Sequence, residues 1–369
     1  MSFVIRGLGT AVPNTVIEKE EGPKVAFSIA GAKKEQLAWL PNMYTGTGIN
    51  TRHIFYDRAV IDDILNDTNE TNNEFLPKKD DPGHKGPTTG RRMQFYKEEV
   101  PAIAQKACRA AIDQAGVSLN RFSHLITVSC TGFYAPGLDT QIIRDLNLPA
   151  NISRTHVGFM GCHGALNGLR VAKAYTDAHP DAQVLLCAAE LCSVHYHYGW
   201  DAQKVVANAL FADGSAAIVG TSAEQSTGTG WKLLRSGAHI FPDSADAMSW
   251  TIGDNGFGMT LSKKVPELIR TSLRPWLSQW LAEHKMTIAD VGSWAIHPGG
   301  PKILDGVEEA LNFSKDVTAV SREILSDFGN MSSPTLLFTI QRMMEYGAEL
   351  PCVALGFGPG LAVEAALFG

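Results

Sequence analysis

Short apolar runs alternate along this chain with longer stretches in which apolar residues return every three or four positions. The first pattern predicts strands and the second helices. Strands are expected at Leu125–Cys130, Gln183–Ala189, Ser215–Val219, Trp294–His297 and Pro351–Gly356. Helices are expected at Lys97–Ala115, Cys162–Ala178, Pro266–His284, Pro301–Leu311 and Ser333–Tyr346, several closed by Gly or Pro. Strands interleaved with helices define an α/β protein whose sheets are covered by helices. From Asp57 to Arg92 the pattern lapses into Asp, Asn, Thr, Lys, Pro and Gly, and an exposed excursion with at most local helix is expected.

The pattern also repeats with an offset of 168 residues, the distance from Cys162 to Asn330. This shift lays Phe159-Met-Gly-Cys162-His-Gly-Ala-Leu166 on Asp327-Phe-Gly-Asn330-Met-Ser-Ser-Pro334. It lays Val184–Ala188 on Cys352–Gly356 and Ile126–Ser129 on Trp294–His297. Each half then reads strand, loop, helix, a special residue opening another helix, and strand. The expected halves are 1–220 and 221–369, the first containing the irregular excursion.

Composition narrows the functional classes. At 369 residues, with 44% apolar and 19% charged positions, the chain can build a large core. Thirty-two basic against 38 acidic side chains leave a formal charge of −6, without the excess that phosphate-backbone binding demands. Nucleic acid is therefore not an expected partner. The first residues carry no basic stretch leading into a long apolar one, and no apolar run approaches the ~18 residues of a membrane span, so a cytoplasmic protein is expected. Six dispersed cysteines, Cys108, Cys130, Cys162, Cys187, Cys192 and Cys352, read as free thiols.

Three residues could carry chemistry. Cys162 follows Met160-Gly161 and opens a helical pattern, where a helix dipole and free N–H groups favour thiolate, although most free cysteines are simply small buried hydrophobes. His297 ends a strand directly before Pro298-Gly299-Gly300-Pro301, a place where α/β folds gather their sites, and could equally be structural. Asn330 precedes a helical pattern and could be a helix cap. Taken together they supply a nucleophile, an imidazole and a carboxamide, the set that acyl transfer through a developing oxyanion requires.

The stretches around these residues carry a resemblance. The Cys162 motif, Trp-Ala-Ile-His297-Pro-Gly-Gly-Pro-Lys-Ile-Leu, Phe-Gly-Asn330-Met-Ser-Ser and the closing Gly356-Phe-Gly-Pro-Gly-Leu-Ala-Val-Glu364 resemble, in order, a type III polyketide synthase of the chalcone-synthase-like superfamily. The resemblance implies a duplicated thiolase fold, five-layered αβαβα, and a homodimer. It implies that Cys162 takes an acyl starter from a CoA thioester, with His297 and Asn330 assisting malonyl-CoA decarboxylation and holding the enolate oxygen. Iterative decarboxylative condensation and closure to a pyrone- or resorcinol-type product would follow. Neither metal nor prosthetic group is implied, with malonyl-CoA and acyl-CoA as substrates. An acyl carrier protein is a second candidate starter donor. The alternatives are a ketoacyl-ACP synthase III-like enzyme performing one condensation, against which the Gly-Phe-Gly-Pro-Gly ending argues, and a non-catalytic acyl-binding scaffold.

Other positions carry over one by one. Phe211 matches a gatekeeper between CoA tunnel and cavity, and Met259 its partner, where plant members commonly have a second Phe. Glu190 and Ser332 match the cavity wall and its hydrogen-bond network, while Cys130 and His195 fall where plant enzymes commonly carry Thr. Two departures stand out. The basic positions that grip CoA phosphates align with Trp39, Asn42 and Gly46, so that the clamp is either missing or rebuilt from Lys33, Lys34, Arg52 or Lys302. Ala135 replaces a bulkier Met that commonly crosses the dimer interface, which implies more room for a long or bulky starter. Cys192, His195 and His197 lack a second ligand pair at metal-binding spacing, so no metal site is expected.

Overall fold

The structure is a computed structural model that describes the chain except residues 1–2, 37, 79–80, 82 and 225–229 and the Lys34 side chain. Its strands are β1 (Phe3–Ala11), β2 (Thr15–Glu18), β3 (Thr51–Ile54), β4 (Phe122–Ser129), β5 (Ser153–Gly158), β6 (Gln183–Leu191), β7 (Asp213–Ser222), β8 (Lys232–Ile240), β9 (Met248–Gly253), β10 (Gly256–Leu261), β11 (Ser293–Ile296), β12 (Cys352–Gly358) and β13 (Ala362–Phe368). Its α-helices are α1 (Gly22–Ile29), α2 (Trp39–Gly46), α3 (Arg58–Asn66), α4 (Thr89–Ala115), α5 (Leu138–Asp145), α6 (Gly164–Ala178), α7 (Ala202–Leu210), α8 (Val265–Glu283), α9 (Pro301–Leu311), α10 (Ala319–Phe328) and α11 (Thr335–Glu345).

Nine strands form one sheet in the order β11-β12-β13-β8-β1-β7-β6-β4-β5. The halves meet where β1 pairs with β8 through Phe3↔Leu233 and Val4↔Lys232. Outward from this seam the two sides match in sense. β7 is antiparallel to both of its neighbours, β1 and β6, and β6 runs parallel to β4. Likewise β13 is antiparallel to both of its neighbours, β8 and β12, and β12 runs parallel to β11. The 168-residue offset therefore superposes β6 on β12, β4 on β11, and the entry to α6 on the entry to α11.

Helix layers follow from strand alternation. In β6, Leu185, Cys187 and Ala189 face the α4 side with Tyr96, Val100, Ala104 and Ala107, whereas Val184, Leu186 and Ala188 face a middle core with Leu166 and Leu169 of α6 and Leu336 and Ile340 of α11. Ala295 and Ala354 of the second half reach the same middle core, and Trp294, Val353 and Val363 point the other way, onto Ile269 and Leu273 of α8 and Leu304 and Val307 of α9. The result is helix, sheet, helix, sheet, helix. Each large apolar side chain fully buried in these layers contributes about 1.5–3 kcal/mol.

The excursion is less exposed than its composition implied. It holds α3, and Val60, Ile61 and Phe75 pack into the α4 core beside Tyr56 and Tyr198. Its last residues already belong to α4, which starts at Thr89 after the Thr88 cap, well before the expected Lys97. Among the described residues no helix is long and apolar enough to cross a membrane.

Candidate active site

Cys162 lies in a 3₁₀ turn, Gly161–His163, that leads into α6. Gly161 has φ 74°, and a Cβ there would come within 2.5 Å of Pro359 Cδ, so this turn needs glycine for both its conformation and its contact. The cysteine is only 7% exposed. Burial pushes its thiol up to about 11; hydrogen bonds with the Ser332 and Asn330 side chains act in the opposite sense, and the Glu190 charge adds to the rise. The thiolate expected from the sequence is thus not what this buried position favours. Desolvation outweighs the helix terminus, and the sulfur sits in the turn before α6 and not in its first turn.

Asn330 is fixed by its backbone. Its N–H donates to the Leu210 carbonyl and its own carbonyl accepts from Ala212 N–H, each at 2.9 Å, making a parallel bridge with Phe211. Its side chain does not cap α11. Oδ1 accepts from Ser332 N–H at 2.8 Å, and Nδ2 donates to the Gly299 carbonyl at 3.3 Å. His297 follows β11, with its N–H on the Leu355 carbonyl (2.8 Å) and its own carbonyl accepting from Gly299 N–H (2.9 Å). Gly299 thereby ties His297 and Asn330 together, and Asn330 in turn reaches Cys162.

The His297 ring is buried, and neither ring nitrogen has a hydrogen-bond partner among the described residues. An imidazole left unpaired in a protein interior marks a place for something else to bind. Burial, with His163 close by, pulls His297 down to about 3, so it is neutral at pH 7 with one nitrogen free to donate and one to accept.

In front of Cys162 lies a cavity of about 660 Å³ of unfilled space, counting the part open to solvent, bounded by Phe211, Met259, Cys130, His195, Trp250 and Phe257 among others. Phe211 and Met259 therefore stand together at its wall. Cys130 Sγ is 3.3 Å from Ser332 Oγ. Behind it the buried Glu190 accepts from Cys130 N–H, Thr131 N–H and the hydroxyls of Ser129, Thr131 and Ser333. His195 is held rigid, with Nε2 on the Thr131 carbonyl at 2.7 Å, Nδ1 accepting from Phe257 N–H at 3.0 Å, and the ring stacked on Phe257.

Of the β9–β10 hairpin the sequence singled out only Met259, yet the hairpin also supplies Met248, Trp250 and Phe257 to the wall, with Trp250 Nε1 donating to the Cys130 carbonyl at 2.7 Å. The Asp254-Asn255-Gly256 turn was the available signal.

Several expected ligand contacts fall elsewhere. Arg52 is buried and donates to the Asn208 carbonyl (2.6 Å) at the end of α7 and to Tyr196 Oη (3.1 Å), so it is a structural cation and not a free phosphate grip. Lys33 and Lys302 are exposed and outside the cavity wall, and the Lys34 side chain lies outside the described residues. Ala135 is exposed and does not border the cavity within one chain. Among the described residues no cluster of His, Cys, Asp or Glu is arranged to hold a metal ion.

Cys162 borders the apolar cavity, while His297 and Asn330, joined through Gly299, are buried outside its wall; a thiol, a neutral imidazole and a carboxamide on a duplicated α/β fold are groups suited to acyl transfer. The profile of the chalcone and stilbene synthases, N-terminal domain, matches residues 2–223, and that of the C-terminal domain matches 232–369, so the chain belongs to this family and is a type III polyketide synthase, an acyltransferase with the thiolase fold. It is 31% identical over 99% of its length, and 90% of the other chain, to the alpha-pyrone synthesis polyketide synthase-like Pks18 of Mycobacterium tuberculosis. It is 33% identical to the 1,3,6,8-tetrahydroxynaphthalene synthase of Streptomyces peucetius subsp. caesius over 71% of each chain. The crystal structure of PKS-I from the brown alga Ectocarpus siliculosus superposes with a TM-score of 0.91 at 29% identity, covering 100% of this chain and 98% of that one.

Proposed function

We propose that Cys162 is the acyl-carrying nucleophile and that His297 and Asn330 form the malonyl decarboxylation site. In loading, the Cys162 Sγ–acyl bond forms as the thiol proton passes to His297, and the departing CoA thiolate takes that proton. In extension, the malonyl C–C bond breaks with loss of CO₂, and the enolate oxygen is held by N–H donors from His297 and Asn330. The enolate carbon then attacks the Cys162 thioester, forming an acyl-CoA two carbons longer and expelling the sulfur as thiolate, which either takes up that lengthened chain again with loss of CoA thiolate or regains a proton from solvent. The observation that carries this reading is the unpaired, buried, neutral His297 ring tied through Gly299 to Asn330, which itself reaches Cys162. Neutral donors stabilise a developing enolate without protonating its carbon early. The chemistry asks for neither metal nor prosthetic group.

The product is a cyclised polyketide of the pyrone or resorcinol type, since the named relatives include a pyrone-forming and a naphthalene-forming enzyme. Met259 softens the gate beside Phe211 and favours acyl starters of some bulk. The chain works as a homodimer. β5 is a sheet edge exposed along much of its length, and next to it Phe133 and Met160 each leave 39% of their surface uncovered. Six buried free cysteines suit a reducing, cytoplasmic compartment.

The test incubates the protein with acyl-CoA and malonyl-CoA, reading CO₂ release, product mass and acyl label on the Cys162 peptide. Cys162→Ala abolishes loading, His297→Ala slows loading and loses decarboxylation, and Asn330→Ala keeps loading and loses decarboxylation. Acyl label retained in Cys162→Ala, or no CO₂ and no extended product across several starters, removes the assignment.

A further inference from the structure

We propose that Lys204 grips the diphosphate of the CoA thioester, the task left open by the uncharged Trp39, Asn42 and Gly46 on α2. The inference rests on the function proposed above and concerns how the donor is held.

Helices α2 and α7 share one corner of the molecule. Leu40 and Tyr44 pack with Val205 and Ala209, and Trp39 meets Trp200 edge-on at 5.7 Å. A charge missing from α2 can therefore be supplied from α7 without relocating the subsite. On α7, Lys204, Ala207 and Asn208 border the cavity together with Phe211, which follows the helix. Their spacing, i, i+3, i+4 and i+7, places them along one stripe. Lys204 stands two turns before Phe211, about 10 Å along the helix axis. With the thioester carbonyl at Cys162, the malonyl carboxylate, two bonds from that carbonyl carbon, would stay on the Cys162 side of Phe211. The pantetheine arm reaches further back, and it ends in the diphosphate.

Lys204 is the only cation among the described residues of the cavity wall. The two histidines there are neutral, burial holding His195 near 3 and His197 near 4. Arg52 is committed to the end of α7. Lys204 is 37% exposed, and its ion pair with Asp201 is long, at 3.8 Å, and open to solvent. Such a pair is weak and readily exchanged for a phosphate.

Two measurements on the full chain separate this inference from the reading beneath it. Calorimetric binding of free CoA and of pantetheine, to the wild type and to Lys204→Gln, tests the grip without turnover. About a tenfold weaker Kd for CoA is expected in Lys204→Gln, with pantetheine unchanged and Lys204→Arg restoring CoA affinity. In steady state, the KM for malonyl-CoA rises about tenfold in Lys204→Gln at nearly constant kcat, while the KM for the malonyl N-acetylcysteamine thioester, which lacks the nucleotide and phosphates, stays put. Equal CoA affinity in wild type and variant, a wild type that does not bind CoA, or an equal loss on both thioesters overturns the assignment. A wild type that binds CoA through Lys204 yet forms no product leaves the grip standing and removes the proposed function instead.

Discussion

Removing the Glu190 carboxylate tests whether the back wall of the cavity is held by hydrogen bonds or merely by packing. Five donor groups converge on it: the hydroxyls of Ser129, Thr131 and Ser333, and the backbone N–H groups of Cys130 and Thr131. In Glu190→Ala the hydroxyls can turn to other partners, as Ser129 can toward Tyr96 Oη 2.6 Å away. The two N–H groups cannot turn. Leaving a buried donor unpaired costs about 1–3 kcal/mol, so the pair sets an expected loss of about 2–6 kcal/mol. Glu190→Gln is a different perturbation. Its oxygen can take the place of Oε2 and keep both N–H bonds, while its amide group faces Ser333 Oγ, which reverses to accept; a loss of about 1 kcal/mol or less is expected. Urea unfolding at fixed protein concentration reads both. CO₂ release at a temperature where each variant is folded should show the Ala variant impaired, because Cys130 and the Ser332-Ser333 stretch border Cys162. An Ala variant within about 0.5 kcal/mol of wild type, or a Gln variant as costly as Ala, would refute the reasoning.

Burial pushes Asp213 up to about 7 despite its bonds from Ser193 and Phe55 N–H, so the folded state binds this proton more tightly than the unfolded chain. Its contribution to stability is therefore greatest near pH 4 and declines as pH rises to about 7, a span of about 4 kcal/mol. The unfolding free energy of wild type minus that of Asp213→Asn should fall by that order between pH 4.5 and pH 8, and a flat difference would rule this out. Arg52→Met strips a charged donor from the Asn208 carbonyl and loosens the Phe211–Asn330 bridge; destabilisation by about 1.5–3 kcal/mol with a lower kcat is expected, read by thermal melts and steady-state rates. Met259→Phe should stiffen the gate and shift starter preference toward shorter acyl groups, seen by competition between acyl-CoA chain lengths.

How much was legible in advance can be judged residue by residue. The buried strand β6 announces itself because both faces are covered and Val184–Ala189 is apolar throughout, and β4 does so through Leu125, Ile126 and Val128, broken only by Thr127. β1 did not, although it lies in the middle of the sheet. Its Gly7 and Gly9 interrupt the pattern because α4 presses on it: a Cβ at those positions would stand 2.1 Å from the Ala111 carbonyl oxygen and 2.4 Å from that of Ala107. Close packing erased the very side chains that signal a strand. The places of Cys162, His297 and Asn330 were readable from the repeat and the Gly-rich turns. The protonation of Cys162 was not, because dipole arguments are local while desolvation depends on walls contributed by Phe211, Trp250 and Phe257 from elsewhere in the chain. Arg52 misled for a similar reason, since a cation that looks like a surface ligand in sequence turns out to close the end of a distant helix.

The middle helical layer has a consequence for how the enzyme responds to damage. Cys162 and Asn330 ride at the entries of α6 and α11, two helices related by the ancestral duplication and packed in one shared core. Trimming a leucine in that core, at Leu166 or Leu336, is expected to loosen the packing that sets the spacing between Cys162 and Asn330. Chemical competence is thereby exposed to wear at the midline.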